Sequence, residues 1–348
     1  MTVFPIMNYK GKWLVDYFRI FFPRWVYYKL GLSKAPIDCF IILTHNCNSR
    51  CIMCNYWQNH EKDEITVEQI RQLLRSPSLR HLKGIELTGG ETLLRPDLPE
   101  IIKTVYDETG IKPVLATNGM LPRVLDKLLS THKQYIAGVT MSFDGLKEVN
   151  NQIRGQMTFE LAMQSVEVIK KYGLKPGISM TLMRNNFDKL KETYEFFKNE
   201  DFTYKPVQTT PYHFGNNNST DLSLSDEMKK HIIETAKTLP ITNLYDAFME
   251  EWLLKADRPT PCYAGTGGVV ITAKGEIQPC IHKPSIGNAL KEGFENIWHS
   301  QKAESFRKNV APNCKDCYQR CTTHSYALEM PKWVAKYRWK KFKNLFLK

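Results

Sequence analysis

Cys47, Cys51 and Cys54 stand as CxxxCxxC in the segment THNCNSRCIMCNYW. Three thiolates on one short loop can hold three irons of a [4Fe–4S] cluster and leave the fourth open, and an open coordination position is what makes a metal site catalytic. A zinc knuckle is the competing chemistry, with His45 or His60 as its fourth ligand. A second group follows at Cys262, Cys280, Cys314, Cys317 and Cys321, with Gly275 between its first two members and the last three written CKDCYQRC. Structural zinc on four of these five is again the alternative. The remaining cysteine, Cys39, lies in an apolar run and reads as a small buried residue. An odd total of 9 cysteines without a secretion signal suits metal ligation better than a disulfide framework.

Other polar motifs recur at regular intervals: Glu86-Leu87-Thr88-Gly89-Gly90-Glu91, then Thr117-Asn118-Gly119, then Ser142-Phe143-Asp144-Gly145, followed by Asn151 and an Ile153-Arg154-Gly155 turn. Each comes just after a short apolar run. The runs read as strands at Cys39–Thr44, Ile85–Thr88, Pro113–Thr117, Gly138–Phe143, Gly177–Met183 and Lys205–Thr209. Helical periodicity lies between them at Thr66–Arg75, Leu98–Thr109, Arg123–Ser130, Phe159–Tyr172 and Phe187–Asn199, with Thr66 and Asp97 placed for capping. This alternation predicts an α/β fold with a parallel sheet, and the motifs then gather at the C-terminal mouth of the strands, where (β/α) enzymes keep their chemistry. Six such units are fewer than the eight of a closed barrel.

The combination resembles the radical S-adenosylmethionine (SAM) superfamily over about residues 37–210. The resemblance implies a partial (β/α)6 TIM-like barrel, a SAM-binding [4Fe–4S] cluster on Cys47, Cys51 and Cys54, and SAM contacts from Gly89, Gly90, Glu91, Asn118, Ser142 and Asp144. Gly89 and Gly90 let backbone approach the ligand, and Glu91 offers a carboxylate to the methionine ammonium. Met53 takes a place that is usually aromatic in the family and keeps an apolar contact beside the adenine region. The C-terminal cysteines resemble the SPASM/Twitch extension, a small iron–sulfur domain with a hairpin read here as Gly268–Thr272, a turn at Ala273-Lys274-Gly275, and Glu276–Gln278. The full two-cluster pattern of that extension has more cysteines, so one auxiliary [4Fe–4S] cluster is implied. Its four ligands come from Cys262, Cys280, Cys314, Cys317 and Cys321, and spacing leaves the choice among the last three open. Family chemistry further implies an electron donor such as flavodoxin or ferredoxin, and reductive cleavage of SAM to a 5′-deoxyadenosyl radical that abstracts a substrate hydrogen atom.

The 348 residues, 42% hydrophobic and 24% charged, contain no apolar run long enough to span a membrane. No secretory signal is visible at the start, which places the chain in the cytoplasm. Net charge is +12, and all the excess sits at the two ends. Residues 1–34 hold six basic side chains against one acid, residues 331–348 hold seven and no acid, and 35–330 is balanced. Both ends interleave these charges with aromatics, including Trp13, Trp25, Trp333 and Trp339. Such segments suit the anionic inner face of a membrane, with peripheral attachment, more than RNA or a barrel-capping helix.

The organisation expected is therefore a basic aromatic segment at 1–34, a radical SAM core at 35–215, a linker and helical region at 216–258 that begins in the polar stretch Pro211–Asp221, an auxiliary-cluster domain at 259–330, and a basic aromatic tail at 331–348. The leading expectation is a radical SAM enzyme acting on a lipid or lipid-linked substrate. A peptide-modifying maturase and a non-enzymatic metal-binding scaffold at the membrane are the alternatives. An open iron and a SAM site would be superfluous in a scaffold.

Overall fold

The computed structural model describes residues 35–58, 63–207, 222–239, 253, 262 and 264–314. The expected loop at Pro211–Asp221, both basic ends, Cys317 and Cys321 lie outside the described residues, as does most of the expected linker. Six parallel strands form the core: β1 (Asp38–Ile42), β2 (Gly84–Thr88), β3 (Val114–Thr117), β4 (Gly138–Ser142), β5 (Gly177–Leu182) and β6 (Asp201–Pro206). The intervening helices are α1 (Val67–Leu74), α2 (Leu98–Thr109), α3 (Pro122–His132), α4 (Lys147–Arg154), α5 (Thr158–Lys171) and α6 (Leu190–Phe196). Beyond them lie α7 (Asp226–Thr238) and the antiparallel hairpin β7 (Gly268–Ile271) and β8 (Glu276–Gln278), with β9 (Gly287–Asn288) beside it. Among the described residues no helix is long and apolar enough to cross a membrane.

Each strand has two unlike faces. Ile41, Leu87, Leu115, Val139 and Ile178 are buried under the helices, where Ile70, Ile101, Leu125 and Val166 meet them in one continuous core. Burying each such side chain stabilises the fold by about 1.5–3 kcal/mol. The alternate residues, Phe40, Glu86, Ala116, Thr140, Ser179 and Thr203, remain partly exposed because they face a cavity on the concave side. The sheet is thus a half-filled barrel.

Three elements depart from the sequence reading for identifiable reasons. β6 begins at Asp201, ahead of the expected Lys205–Thr209, because Phe202 and Tyr204 join the main core while Thr203 and Lys205 line the cavity. Its Pro206 is tolerated at the edge of the sheet, where the strand order begins. α4 replaces the expected turn; its buried face is Asn150, Ile153 and Arg154, so no apolar stripe announces it. The stretch after Asn186 opens as a 3-10 turn (Phe187–Lys189) before α6. Thr66 does cap α1 in a reciprocal box with Gln69, whereas the Asp97 carboxylate turns instead to Arg95.

Arg95 ties the mouth of the barrel together. Its buried guanidinium donates to the carbonyls of Leu43 (2.7 Å) and Ile65 (2.9 Å) and pairs with Glu64 (3.2 Å) and Asp97 (2.7 Å). Glu64 in turn accepts from Thr44 and Asn46, which carry the chain into the cysteine loop. Removing one partner of a buried ionic network leaves the others uncompensated. Arg95→Ala should therefore lower stability by about 1–3 kcal/mol in urea unfolding of the metal-free protein, chiefly through the Leu43 and Ile65 carbonyls left without a donor.

The hairpin is not a detached appendage. β7 pairs in parallel with β1, from Asp38↔Gly268 to Ile41↔Ile271, so a nine-stranded sheet runs β6-β5-β4-β3-β2-β1-β7-β8-β9. The hairpin turns at Gly275 (φ +74°), where a side chain would also collide with Leu290, 2.4 Å from its γ carbon. Short helices follow at α8 (Ala289–Glu292), α9 (Phe294–Trp298) and α10 (Gln301–Ser305), leading to Cys314.

Candidate active site

The loop after β1 presents Cys47, Cys51 and Cys54 to the cavity at the C-terminal mouth of the sheet. Local bonds shape it. The Cys54 N–H donates to the Cys51 carbonyl (3.1 Å), and Trp57 Nε1 donates to the Cys54 carbonyl (2.8 Å). The turn after β2 is stitched to it: Gly90 N–H donates to Thr44 O (2.7 Å) and Glu91 N–H to Asn46 O (2.8 Å). A β carbon at Gly90 would fall 2.3 Å from the Asn46 carbonyl oxygen, so only glycine permits this approach. Gly89, Gly90, Asn118 and Ser142 line the same cavity.

Hydrogen-bond donors converge on the sulfurs. Ser49 N–H and Asn118 Nδ2 point at Cys47 Sγ (3.4 and 3.7 Å), and Arg154 Nη1 lies 3.8 Å from Cys51 Sγ, whereas Ser49 Oγ, 3.2 Å from that sulfur, gives its hydrogen to the Arg154 carbonyl. Burial pushes the Cys47 thiol up to about 11 and the Cys54 thiol up to about 12. These thiols therefore stay protonated until a metal takes the charge. Donors aimed at sulfur suit thiolate ligands of an iron–sulfur cluster. No three His, Cys, Asp or Glu side chains among the described residues come close enough to hold a single metal ion.

Glu91 is fully buried (0% exposed) behind the cavity wall. Its carboxylate accepts from Leu93 N–H (2.9 Å), Thr117 Oγ1 (2.8 Å) and Asn118 N–H (2.7 Å). Among the described residues no ion pair joins it to a lysine or arginine, and burial pushes its pKa up despite these donors. A buried carboxylate in want of a cation fits a ligand bearing an ammonium. Asp144 is equally buried, but its carboxylate already faces a cation, Arg154, and accepts from Thr181 N–H; neither it nor Glu91 is part of the cavity lining itself. Met53 packs with Ile153, Met183 and Leu222 and also lines the cavity.

Cys262 and Cys280 are packed together with Ala264, Phe306 and Ala311. Each sulfur accepts from the N–H two residues on, Ala264 and His282, both at 3.4 Å. Cys314 is partly exposed at the end of the following turn. Cys280, Pro279, Ile281 and Ala264 also line the cavity that the first cysteine loop opens on. Cys39 is buried in the main core, and burial pushes its thiol far up, which makes it inert.

Sequence reasoning gave Glu86 no role beyond its place in the motif, and singled out neither Ser49 nor the inward-facing residues Thr181 and Lys205. The period-two alternation of each strand would have located the latter once one inward residue was known. It treated Arg154 as part of a turn, although helical spacing from Asn150 to Arg154 was available.

A parallel half-barrel with cysteines and glycines at its mouth defines a class, and comparison with known proteins agrees. The profile of the Radical SAM superfamily matches residues 41–197, and that of SPASM, an iron-sulfur cluster-binding domain, matches residues 262–318. This chain belongs to the radical SAM superfamily and carries a SPASM-type C-terminal domain. It is an enzyme whose cofactors are SAM, a SAM-binding [4Fe–4S] cluster and an auxiliary one, supplied with electrons by a reductant such as flavodoxin or ferredoxin.

Among its relatives, an AdoMet-dependent heme synthase from Methanosarcina barkeri is 27% identical, over 80% of this chain and 86% of that protein. The mycofactocin maturase MftC from Mycolicibacterium smegmatis is 27% identical, over 84% and 77%. The subtilosin biosynthesis protein AlbA from Bacillus subtilis is 25% identical over 80% of this chain, which spans only 62% of AlbA. In fold the chain is similar to anSMEcpe with bound AdoMet (TM-score 0.61, 18% identity, 86% of this chain and 99% of that one). It is similar too to Streptococcus suis SuiB bound to the precursor peptide SuiA (TM-score 0.61, 16% identity, 85% and 73%).

Proposed function

We propose that the enzyme modifies a peptide substrate by hydrogen-atom abstraction in the cavity between the first cysteine loop and the β7–β8 hairpin. In this reading Cys47, Cys51 and Cys54 hold the SAM-binding cluster, and Gly89, Gly90, Glu91, Asn118 and Ser142 receive SAM. Cys262 and Cys280, with two of Cys314, Cys317 and Cys321, hold the auxiliary cluster. When bound, SAM and the reduced cluster supply a 5′-deoxyadenosyl radical. The chain's own residues bind, orient and enclose.

One observation carries the proposal: a single cavity is lined by all three cysteines of the first loop and by Cys280 and Ile281 of the second region. A substrate there would be flanked by both clusters, which would let the auxiliary one take or return an electron. The far wall supports a polar substrate, since β4, β5 and β6 contribute Thr140, Ser179, Thr181, Thr203 and Lys205, with Glu86 from β2. A hydrocarbon chain would leave those groups without water or hydrogen-bond partners. Relatives that act in subtilosin biosynthesis and mycofactocin maturation favour the peptide within this class.

A second reading, a lipid-linked substrate at an anionic membrane surface in the cytoplasm, draws on the thirteen basic residues and the tryptophans of the two ends. The two readings separate in one experiment. Reconstituted enzyme with dithionite and SAM is supplied anaerobically with a synthetic peptide library, or with phosphatidylglycerol vesicles. The peptide reading expects faster 5′-deoxyadenosine formation and new peptide masses only with the library. Stimulation by vesicles alone, together with co-sedimentation that weakens as salt rises, would overturn it in favour of the lipid.

A further inference from the structure

A full positive charge lies against one sulfur of the first loop, and it comes from a distant part of the chain. Arg154, the last residue of α4, places Nη1 3.8 Å from Cys51 Sγ and Nε 2.7 Å from Asp144 Oδ2. Arg154 is 8% exposed and Asp144 0%. Asp144 cannot swing away. Its Oδ1 accepts from Thr181 N–H (2.7 Å), its N–H donates to Asn150 Oδ1 (2.9 Å), and its carbonyl accepts from Asn186 Nδ2 (2.8 Å). The Arg154 backbone is fixed from the cysteine side: its carbonyl accepts from Ser49 Oγ (2.8 Å), and the neighbouring Ile153 carbonyl accepts from Ile52 N–H (3.0 Å).

We propose that the Asp144–Arg154 pair sets the reduction potential of the cluster held by Cys47, Cys51 and Cys54, with Arg154 acting at Cys51 and Asp144 as the positioning residue that offsets its charge. The inference rests on the cluster assignment made above. One-electron reduction adds a negative charge that spreads onto the ligand sulfurs, and a cation or donor at a sulfur favours the reduced form. Low solvent exposure at both residues keeps that influence from being screened. Asp144 works against it. Retaining the anion beside the cation lowers the cost of burying either alone and leaves a cluster of intermediate potential.

The test is a redox titration of the reconstituted full-length enzyme with dithionite and mediators, read by the EPR signal that changes on addition of SAM. Arg154→Gln should make the cluster harder to reduce and Asp144→Asn easier, each by up to about tenfold in the reduced-to-oxidised ratio at fixed potential, which is about 59 mV for one electron. Arg154→Lys, which keeps the charge, should fall between wild type and Arg154→Gln. Opposite signs are the signature, since a latch that merely ties α4 to the loop would shift neither variant or both the same way. Either of those results would overturn the proposal, and Asp144→Asn alone decides the sign if Arg154→Gln fails to take up iron. A wild-type protein with no SAM-sensitive signal would instead overturn the cluster assignment itself.

Discussion

Changing Cys47, Cys51 and Cys54 together to alanine is expected to halve the iron and sulfide of anaerobically reconstituted protein, from about eight of each to about four, and to abolish formation of 5′-deoxyadenosine. The loss of activity should be complete within detection, because no other cysteine lies on that loop and the remaining cysteine of the cavity, Cys280, belongs to the second group. The residual cluster should persist. Cys262 and Cys280 are packed in their own small group with Ala264, Phe306 and Ala311, apart from the altered loop. Iron and sulfide analysis with anaerobic SAM cleavage checks both statements; zinc in place of the remaining iron would show that the second region is a structural zinc site.

Glu91→Gln is expected to weaken SAM binding by roughly 10- to 150-fold, the worth of a hydrogen bond to a charged group, while leaving iron content near wild type. Glutamine keeps the shape and can still accept at one oxygen from Leu93 N–H and Thr117 Oγ1, losing only the acceptor for Asn118 N–H. Glu91→Ala is a poorer probe, since it strands three donors, each at about 1–3 kcal/mol. Burial raises the Glu91 pKa, so the carboxylate loses its charge on acidification earlier than an ordinary glutamate. SAM affinity of the wild type should therefore fall as pH is lowered through that raised pKa, and the pH dependence should flatten in Glu91→Gln. Equilibrium binding of SAM to the oxidised enzyme measures both effects, and unaltered affinity in the variant would remove Glu91 from the site.

The half-barrel was legible in the sequence because its strands bury one face under amphipathic helices, so apolar runs and helical periodicity alternate in plain view. The cysteines and glycines were legible because their chemistry depends on spacing along a single loop. What escaped were features made by the other face. Thr140, Ser179, Thr203 and Lys205 look like ordinary polar residues of half-buried strands until the sheet curls them around one cavity. α4 escaped because its inward face carries an asparagine and an arginine, whose partners, Thr158 for Asn150 and Asp144 for Arg154, come from other elements. The junction of β1 with β7 escaped as well, since a parallel pairing across so many intervening residues leaves no local mark.

That junction orders the events of biosynthesis. Asp38 and its partner Gly268 lie 230 positions apart, so one flank of β1 stays unsatisfied until the chain has been synthesised past Gly268. At about 5–20 residues per second the wait is roughly 10–50 s, during which β1 is an exposed strand edge adjoining three uncommitted thiols. Premature chain termination before Gly268 should therefore yield a product prone to aggregation along that open edge.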